Sequence, residues 1–268
     1  MDRLRTLVLA GQRGAADPFA ASLAARHRAL LPVAGMPMLL RVIRTLRETG
    51  AVGRIALSID EPAALDEVPE LRNLIAKGEI DVHRSLDSPS RSVSAVLADC
   101  AADEPLLVTT ADHPLLTPEM VAHFAAAAGH SDADLLVGVV AASLLRRSYP
   151  ETTRTYVRLR GEAYSGANLF CFRTERARRA ARFWLRVERQ RKSPWRMVRA
   201  FGPRLLLRFA LRRLDLDAAL EAASQRIGAV IRAVSLPFPE AAIDVDRPAD
   251  LELAERILAA RAGTAPRT

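Results

Sequence analysis

Residues 7–14 read LVLAGQRG, an apolar run that passes directly into two glycines flanking a glutamine and an arginine. The apolar residues 4–10 predict a short buried strand, because strands buried on both faces of a sheet are continuous apolar runs. The glycines allow backbone N–H groups to approach a phosphate closely, and Arg13 adds positive charge. The stretch lacks the glycines of the Walker loop and of the six-residue dinucleotide fingerprint, so on its own it indicates nucleotide binding only weakly.

Apolar strands alternate with helical patterns along most of the chain. Further strands are predicted at 54–60, 79–85, 105–116, 133–141, 155–160, 167–173 and 231–238. Helices are predicted over 37–49, 88–101, 117–128 and 246–262, with Ser88 or Ser90, and then Thr117, as N-caps. This alternation predicts a three-layer α/β/α sandwich with a mostly parallel mixed sheet. We expect a single domain over 1–262 and a disordered tail at 263–268.

The composition is typical of a globular domain. Of the 268 residues, 50% are apolar and 26% charged, and the net charge is +8. No apolar run approaches the roughly 20 residues of a membrane span, and the N-terminus lacks a signal-peptide pattern. Cys100 and Cys171 have no metal-ligand spacing and are expected to be buried free thiols. These features predict a cytoplasmic protein.

Three further loops are expected at the carboxyl ends of strands, where open α/β sheets bind ligands. HRALLPVAGMP at 27–37 either brings Arg28 near the first loop or forms a helix-entry turn. SPSRSVS at 88–94 either presents hydroxyl and N–H groups to a ligand or only caps a helix. TTADHPLLTPEM at 109–120 places Asp112 just past a buried strand, where a carboxylate is well placed to hold Mg²⁺ against a polyphosphate.

A fourth junction, IDVDRPADL at 243–251, offers Asp244 and Asp246 after the last strand. Carboxylates from two distant strand ends could clamp one metal ion, or each could cap a helix. Asp250 is expected on the helix and solvated. Among the histidines, His27 is expected to be exposed, and His113 to lie beside the metal aspartate without a direct role.

In this order and spacing, the loops resemble those of the nucleotidyltransferase family with a MobA-like NTP-transferase domain. The family opens with Leu-Ala-Gly-X-Arg-Gly, continues with Lys-X-Leu-X-Pro-Val-X-Gly-X-Pro and Thr-X-X-Asp-X-Pro-Leu-Leu, and closes with Asp-X-Asp-X-Pro-X-Asp-Leu. The matching segments here are 9–14, 28–37, 109–116 and 244–251. RSVS at 91–94 and SGANLF at 165–170 are similar to the cytidylyltransferase serine stretch and to the acceptor-site strand. The resemblance covers about 1–173 and 229–260 and implies a Rossmann-like fold.

The resemblance implies Mg²⁺-dependent transfer of NMP from an NTP, CTP or GTP, to a phosphorylated small molecule, with release of pyrophosphate. It implies catalytic roles for Arg13, Arg28 and Asp112, and a metal site formed by Asp112 with Asp246 and Asp244. The nucleotide-binding residues that it implies are Leu9, Ala10, Gly11, Gln12, Arg13, Gly14, Arg28, Ser90, Arg91, Ser94 and Asp112.

Arg28 departs from the family pattern, which has lysine at this position. Arginine keeps the charge, but its planar guanidinium binds phosphate differently from a compact ammonium group. Two alternatives therefore stay open. One is a guanylyltransferase acting on a cofactor precursor of the molybdenum-cofactor or cobinamide-phosphate type. The other is a nucleotide-binding protein with impaired catalysis.

Residues 174–228 look helical throughout and interleave arginines with aromatic residues, so they are expected to form a basic helical insertion. One interpretation is a lid or dimer arm that packs on the domain. The other is an amphipathic basic surface for an anionic membrane or a lipid-like acceptor. The sequence contains no recognised nucleic-acid-binding module, so nucleic acid is not expected as a partner. The sequence does not decide whether the protein forms a homodimer.

Overall fold

An eight-stranded sheet with helices on both faces forms the body of the molecule. The computed structural model describes residues 3–12, 25–188, 202–211 and 213–264. Across the sheet the strands lie in the order Ile231–Ser235, Leu135–Ala141, Ala163–Phe172, Leu106–Thr110, Leu4–Leu9, Val52–Ile59 and Ile80–Arg84, and Val157–Arg158 pairs with Ala163–Phe172. Neighbours are parallel, except that Ala163–Phe172 is antiparallel to each of its three partners. The predicted mostly parallel mixed sheet is confirmed.

The strands are β1 (Leu4–Leu9), β2 (Pro32–Val33), β3 (Met36–Pro37), β4 (Val52–Ile59), β5 (Ile80–Arg84), β6 (Leu106–Thr110), β7 (Leu135–Ala141), β8 (Val157–Arg158), β9 (Ala163–Phe172) and β10 (Ile231–Ser235). The α-helices in the described ranges are α1 (Met38–Glu48), α2 (Pro69–Ala76), α3 (Pro89–Ala98), α4 (Pro118–His130), α5 (Ala142–Ser148), α6 (Ala177–Glu188), α7 (Pro203–Ala210), α8 (Leu216–Ile227) and α9 (Pro248–Thr264). Short 3₁₀ turns cover Arg28–Leu30, Pro62–Glu67 and Pro239–Ala242.

Successive strand residues face opposite layers, so the sheet separates two cores. Val8 and Leu107 pack with α1, α4 and α9, whereas their neighbours Leu7 and Val108 pack with α3 and α6. Side chains that alternate in this way bury both faces of the central strands. The three layers are therefore those that the apolar runs predict.

Helix starts follow the sequence signals closely. Ser88 caps α3 by accepting a hydrogen bond from the Arg91 N–H, and Thr117 caps α4 in the same way from the Met120 N–H. The run at 105–116 is a strand only as far as Thr110, so Asp112 lies in the loop that follows. Cys100 and Cys171 are buried and unpaired, as predicted.

Part of the segment 174–228 packs on the face of the sheet that α3 also covers, and so belongs to the second helical layer of the domain. Ala177, Ala180 and Ala181 bury one face of α6 against the core, and α8 packs there through Leu220 and Ile227. Helix α7 instead leaves Leu207 and Phe209 exposed. In the described residues, no helix is long and apolar enough to cross a membrane.

Candidate active site

The carboxyl ends of β1, β4 and β6 bring three loops to one edge of the sheet. The Ala10 N–H donates to the Ser58 carbonyl at 2.8 Å, and the Ala111 N–H donates to the Leu9 carbonyl at 2.9 Å. The Val245 N–H donates to the Asp112 carbonyl at 2.8 Å, which joins the last loop to the third strand end. The predicted meeting of these loops therefore occurs through backbone hydrogen bonds.

A cleft of about 420 Å³ opens where the loops meet. It is lined by Leu9, Ala10, Gly11, Gln12, Arg28, Ala29, Met38, Pro89, Thr110, Ala111, Asp112, Asn168, Phe170, Trp184, Asp244 and Asp246. The cleft thus contains three carboxylates, one guanidinium and the start of the first loop. Gly11 is close-packed here, since a Cβ atom at its position would lie 2.7 Å from Ser85 Oγ.

Of the three carboxylates that line the cleft, Asp112 is the one with an unpartnered buried oxygen. Its Oδ1 atom is buried and has no hydrogen-bond partner in the part of the chain that the structure describes. Burial, together with the nearby negative charge of Asp244, raises the pKa of Asp112 from 3.8 to about 6. A carboxylate kept in this state favours the approach of a cation.

Asp244 is held by groups that the sequence analysis does not identify. Arg154, whose side chain is 6% exposed, pairs with the Asp244 carboxylate and donates to its carbonyl at 2.6 Å. Asn168 donates from Nδ2 to Asp244 Oδ2 at 3.1 Å, with its own backbone in the left-handed region at φ 50°. Arginine and amide together fix the orientation of this carboxylate.

The prediction that Asp250 is solvated is wrong. Its side chain is 4% exposed and accepts a hydrogen bond from Arg154 at 3.3 Å. Its Oδ2 atom also accepts from the Arg247 N–H at 3.0 Å, at the start of α9. The carboxylate stays buried because a guanidinium and free helix N–H groups surround it.

Arg28 and Asp246 form an ion pair at the mouth of the cleft, and Arg28 Nη2 also donates to the Val245 carbonyl at 2.9 Å. Asp246 is 56% exposed in this pair and Arg28 is 24% exposed. The predicted cation therefore lies at the predicted carboxylates.

The expectation that His27 is exposed is also wrong, because His27 is completely buried. His27 Nδ1 accepts from the Ala29 N–H at 3.1 Å, so this nitrogen carries no proton, and Nε2 donates to Asp60 Oδ1 at 2.8 Å. The Gln12 N–H also donates to Asp60 at 3.1 Å, and Gln12 Oε1 accepts from the Arg28 N–H at 3.2 Å. Burial raises the pKa of Asp60, but the hydrogen bonds from His27 and Gln12 outweigh it and lower that pKa overall. This network connects the first loop to the backbone of Arg28.

An aromatic wall completes the cleft. Phe170 and Trp184 pack with ring centroids 6.0 Å apart. The serine-rich loop contributes Pro89, whereas Ser90 is buried and Ser94 donates to the Ser90 carbonyl at 2.8 Å. Arg91 faces a neighbouring groove, not the cleft.

The remaining predicted residues are placed as follows. Leu9, Ala10, Gly11 and Gln12 line the cleft, whereas Arg13 and Gly14 lie outside the described residues. His113 is buried, and burial lowers its pKa from 6.5 to about 4, so it is neutral at pH 7.

Carboxylate oxygens at the predicted metal site fit Mg²⁺ in type. The unpartnered Asp112 Oδ1 and the exposed carboxylate of Asp246 are oxygen donors of the kind that Mg²⁺ prefers. In the described ranges, however, no group of three or more His, Cys, Asp or Glu side chains is arranged as a metal site. Asp244 is already committed to Arg154, and Asp246 is paired with Arg28.

Comparison with known proteins identifies the family. The model of the MobA-like NTP transferase domain matches residues 6–217. The chain belongs to this family of nucleotidyltransferases. The match continues beyond the start of the segment treated above as an insertion, consistent with the packing of α6 in the second helical layer. No curated protein sequence matches the chain.

Solved structures share the fold over nearly the whole chain. A hypothetical transferase from Thermus thermophilus is 28% identical, with a TM-score of 0.77, covering 93% of this chain and 100% of its own. CMP:2-keto-3-deoxy-manno-octonic acid synthetase, solved in complex with CTP, is 15% identical, with a TM-score of 0.59, covering 97% and 100%. 4-Diphosphocytidyl-2C-methyl-D-erythritol synthase is 11% identical, with a TM-score of 0.55, covering 96% and 100%. The last two likenesses concern the fold.

Proposed function

We propose that the protein is a Mg²⁺-dependent nucleotidyltransferase that moves NMP from an NTP, CTP or GTP, to a phosphorylated small molecule. The observation that carries this proposal is the unpartnered oxygen of Asp112 in a cleft that also holds Arg28 and the start of the first loop. A charged carboxylate with an unpartnered buried oxygen is costly, and a bound cation would compensate for that cost.

In the proposed reaction, a phosphate oxygen of the acceptor forms a bond to the α-phosphorus, and the bond from that phosphorus to the bridging oxygen of pyrophosphate breaks. Arg28 stabilises negative charge on the triphosphate, and the Gln12–Asp60–His27 network holds the backbone on which Arg28 is mounted. Asp112 and Asp246 would hold Mg²⁺, with Asp244 beside them. The ion would neutralise phosphate charge and orient the leaving group.

Binding of Asp246 to a metal competes with its ion pair to Arg28, because both draw on the charge of one carboxylate. Arg28 pairs with Asp246 in this structure, and a triphosphate offers the guanidinium a stronger anionic partner. We therefore expect the nucleotide and the metal to bind together. The triphosphate draws Arg28 away from Asp246, and the metal draws Asp246 away from Arg28.

CTP is the donor favoured here, because a relative of the same fold was solved with CTP. Two alternatives remain. One is guanylyl transfer to a cofactor precursor. The other is a protein that binds nucleotide but catalyses poorly, because Arg28 stands where the family has lysine. A cytoplasmic location, a homodimer and membrane contact through 174–228 also stay predictions.

Equilibrium binding of CTP and CMP with Mg²⁺, measured by calorimetry, tests the proposal on Arg28→Met and Arg28→Lys. Arg28→Met should weaken CTP binding at least tenfold and CMP binding much less, because the guanidinium faces the triphosphate. The matched control is Arg26→Met, whose exposed side chain pairs with Glu61 and is not among the residues that line the cleft. Equal losses for Arg28→Met and Arg26→Met, or for CTP and CMP, would refute the role of Arg28.

Turnover of Arg28→Lys separates an active enzyme from an impaired one. The assay is transfer of label from α-³²P-labelled NTP to a pool of sugar and polyol phosphates. An active enzyme should retain or gain rate with lysine. A protein that binds CTP but transfers no label with either residue would favour the impaired alternative.

A further inference from the structure

Beside the cleft lies a second concavity of about 610 Å³, here called the arginine groove. It is lined by Arg91, Arg179, Arg182, Leu185, Arg186 and Ile227. Four guanidinium groups thus face one space over two apolar side chains. Among its described lining residues there is no carboxylate.

The topology places this groove next to the cleft. Helix α3 begins at the edge of the sheet where the cleft opens, and α6 packs against α3. Pro89 and Trp184 line the cleft, while Arg91 and Leu185, their near neighbours in sequence, line the groove. Trp184, seven positions after Ala177, projects from the core-facing side of α6, whereas the arginines project from the other side, so the two spaces are neighbouring but separate.

The arginines of the groove are not all satisfied by the protein. Arg91 pairs with Asp87 at 2.6 Å, and Arg179 donates to the Gly228 carbonyl at 3.0 Å. Arg182 and Arg186 are exposed and have no carboxylate or carbonyl partner in the described ranges. The guanidinium of Arg186 lies 5.8 Å from the centre of the Phe183 ring. Like charges held together repel each other, so a bound anion would lower the free energy of this face.

The spacing along α6 supports a binding role. Residues 179, 182 and 186 are separated by three and four positions and so share one helix face. Alanines on the opposite face, among them Ala177 and Ala181, are buried in the core and fix that face toward the groove. The guanidinium groups therefore project from a packed helix, and their planar forks suit phosphate and carboxylate.

We propose that the arginine groove binds a phosphate or carboxylate group of an anionic ligand. Leu185 and Ile227 contact the carbon skeleton that carries this group. The anion site does not depend on the proposed nucleotidyl transfer. The ligand class is therefore a phosphate ester or carboxylate with an apolar part.

Inorganic phosphate is the probe for this site, titrated by calorimetry at fixed ionic strength. The background variant is Arg28→Met, which weakens phosphate binding in the cleft. Adding Arg182→Gln with Arg186→Gln should weaken the remaining phosphate binding at least tenfold. The matched control, Arg72→Gln with Arg176→Gln, removes the same charge from exposed positions elsewhere and should leave it unchanged. Equal affinities in the two variants would overturn the site.

Two further arms identify the source of the anion and separate the proposals. Phosphatidylcholine vesicles containing phosphatidylglycerol are pelleted with the same variants. Loss of both vesicle and phosphate binding assigns a lipid headgroup, and loss of phosphate binding alone assigns a soluble ester. CTP binding is measured with Arg28 intact and should not change when the groove arginines are replaced. If CTP does not bind to any form while phosphate still requires the groove, nucleotidyl transfer fails and the anion site stands.

Discussion

Replacing Asp112 by asparagine should stabilise the protein at pH 8 and change its stability little at pH 4. The two side chains have nearly the same shape, so the substitution removes the charge and leaves the packing. Burial and the neighbouring Asp244 raise the pKa of Asp112 from 3.8 to about 6 in the folded state. The folded state therefore disfavours the ionised carboxylate that the unfolded chain tolerates.

The magnitude follows from linkage between proton binding and folding. Below pH 3.8 the carboxyl group is protonated in both states and costs nothing, and above pH 6 it is ionised in both and the cost is complete. At about 1.4 kcal/mol per pKa unit, the full cost is about 3 kcal/mol, and about 0.5 kcal/mol remains at pH 4. Solvent in the open cleft screens part of this charge, so a gain of about 1–3 kcal/mol is expected at pH 8.

Urea unfolding of wild type and Asp112→Asn at pH 4 and pH 8 measures this difference. Asp66→Asn, at an exposed position, serves as a control and should show no pH-dependent gain. Adding Mg²⁺ with CTP should stabilise the wild type more than the asparagine variant, because the variant lacks the charged ligand. An asparagine variant that is less stable than wild type at pH 8, or equally different at both pH values, would refute the reasoning.

Three other changes test the surroundings of the cleft. In urea unfolding, Arg154→Gln should lower the free energy of unfolding by about 3–5 kcal/mol, because it leaves Asp244 and Asp250 without their buried cation. The control Arg256→Gln, at an exposed ion pair, should lower it by less than about 1 kcal/mol. Between pH 6.5 and 4 the wild type should lose stability through His113, whose neutral form the fold prefers, while protonation of Asp112 offsets part of that loss, so the difference in unfolding free energy between wild type and His113→Gln should move against the wild type as the pH falls. Gly11→Ala should weaken CTP binding in calorimetry with little loss of stability, because its methyl group displaces Ser85 and moves the first loop.

Each of these expectations can fail separately. Similar losses for the two arginine variants would mean that Arg154 is not needed to satisfy buried charge. If the dependence of unfolding free energy on pH is unchanged after replacement of His113, other groups cause the loss of stability between pH 6.5 and 4. Normal CTP affinity in the Gly11 variant would mean that the first loop does not depend on close packing at that residue.

Much of the fold follows from local sequence signals. The apolar strands, the N-caps Ser88 and Thr117 and the proline that follows each are readable because they depend on short-range chemistry. The helices at Pro69–Ala76 and Ala142–Ser148 are missing from the sequence analysis, since both are shorter than three turns. The antiparallel direction of β9 depends on the path that the chain takes between distant strands. No local sequence pattern encodes that path.

The site is only partly readable for the same reason. Asp112 and Arg28 are identified by their motifs, but Arg154 lies in a loop with no distinguishing neighbours and acts only through contacts about 90 positions away. His27 and Asp60 are separated by 33 positions, so their pairing is invisible in sequence. One feature of the sequence does point to Asp60 as a site residue. It directly follows the end of a buried strand, and Asp112 lies two residues after the end of another.

The most direct test of the central claim is thermal stabilisation of the protein by CTP, GTP, ATP and UTP, each with and without Mg²⁺. A nucleotide present at about a hundred times its Kd adds about 2.7 kcal/mol to the free energy of unfolding, which is readily seen as a rise in Tm. A nucleotidyltransferase site predicts that one nucleotide, CTP in our proposal, raises Tm strongly and only with Mg²⁺. If none of the four raises Tm under either condition, the cleft is not a nucleotide site and the account is contradicted.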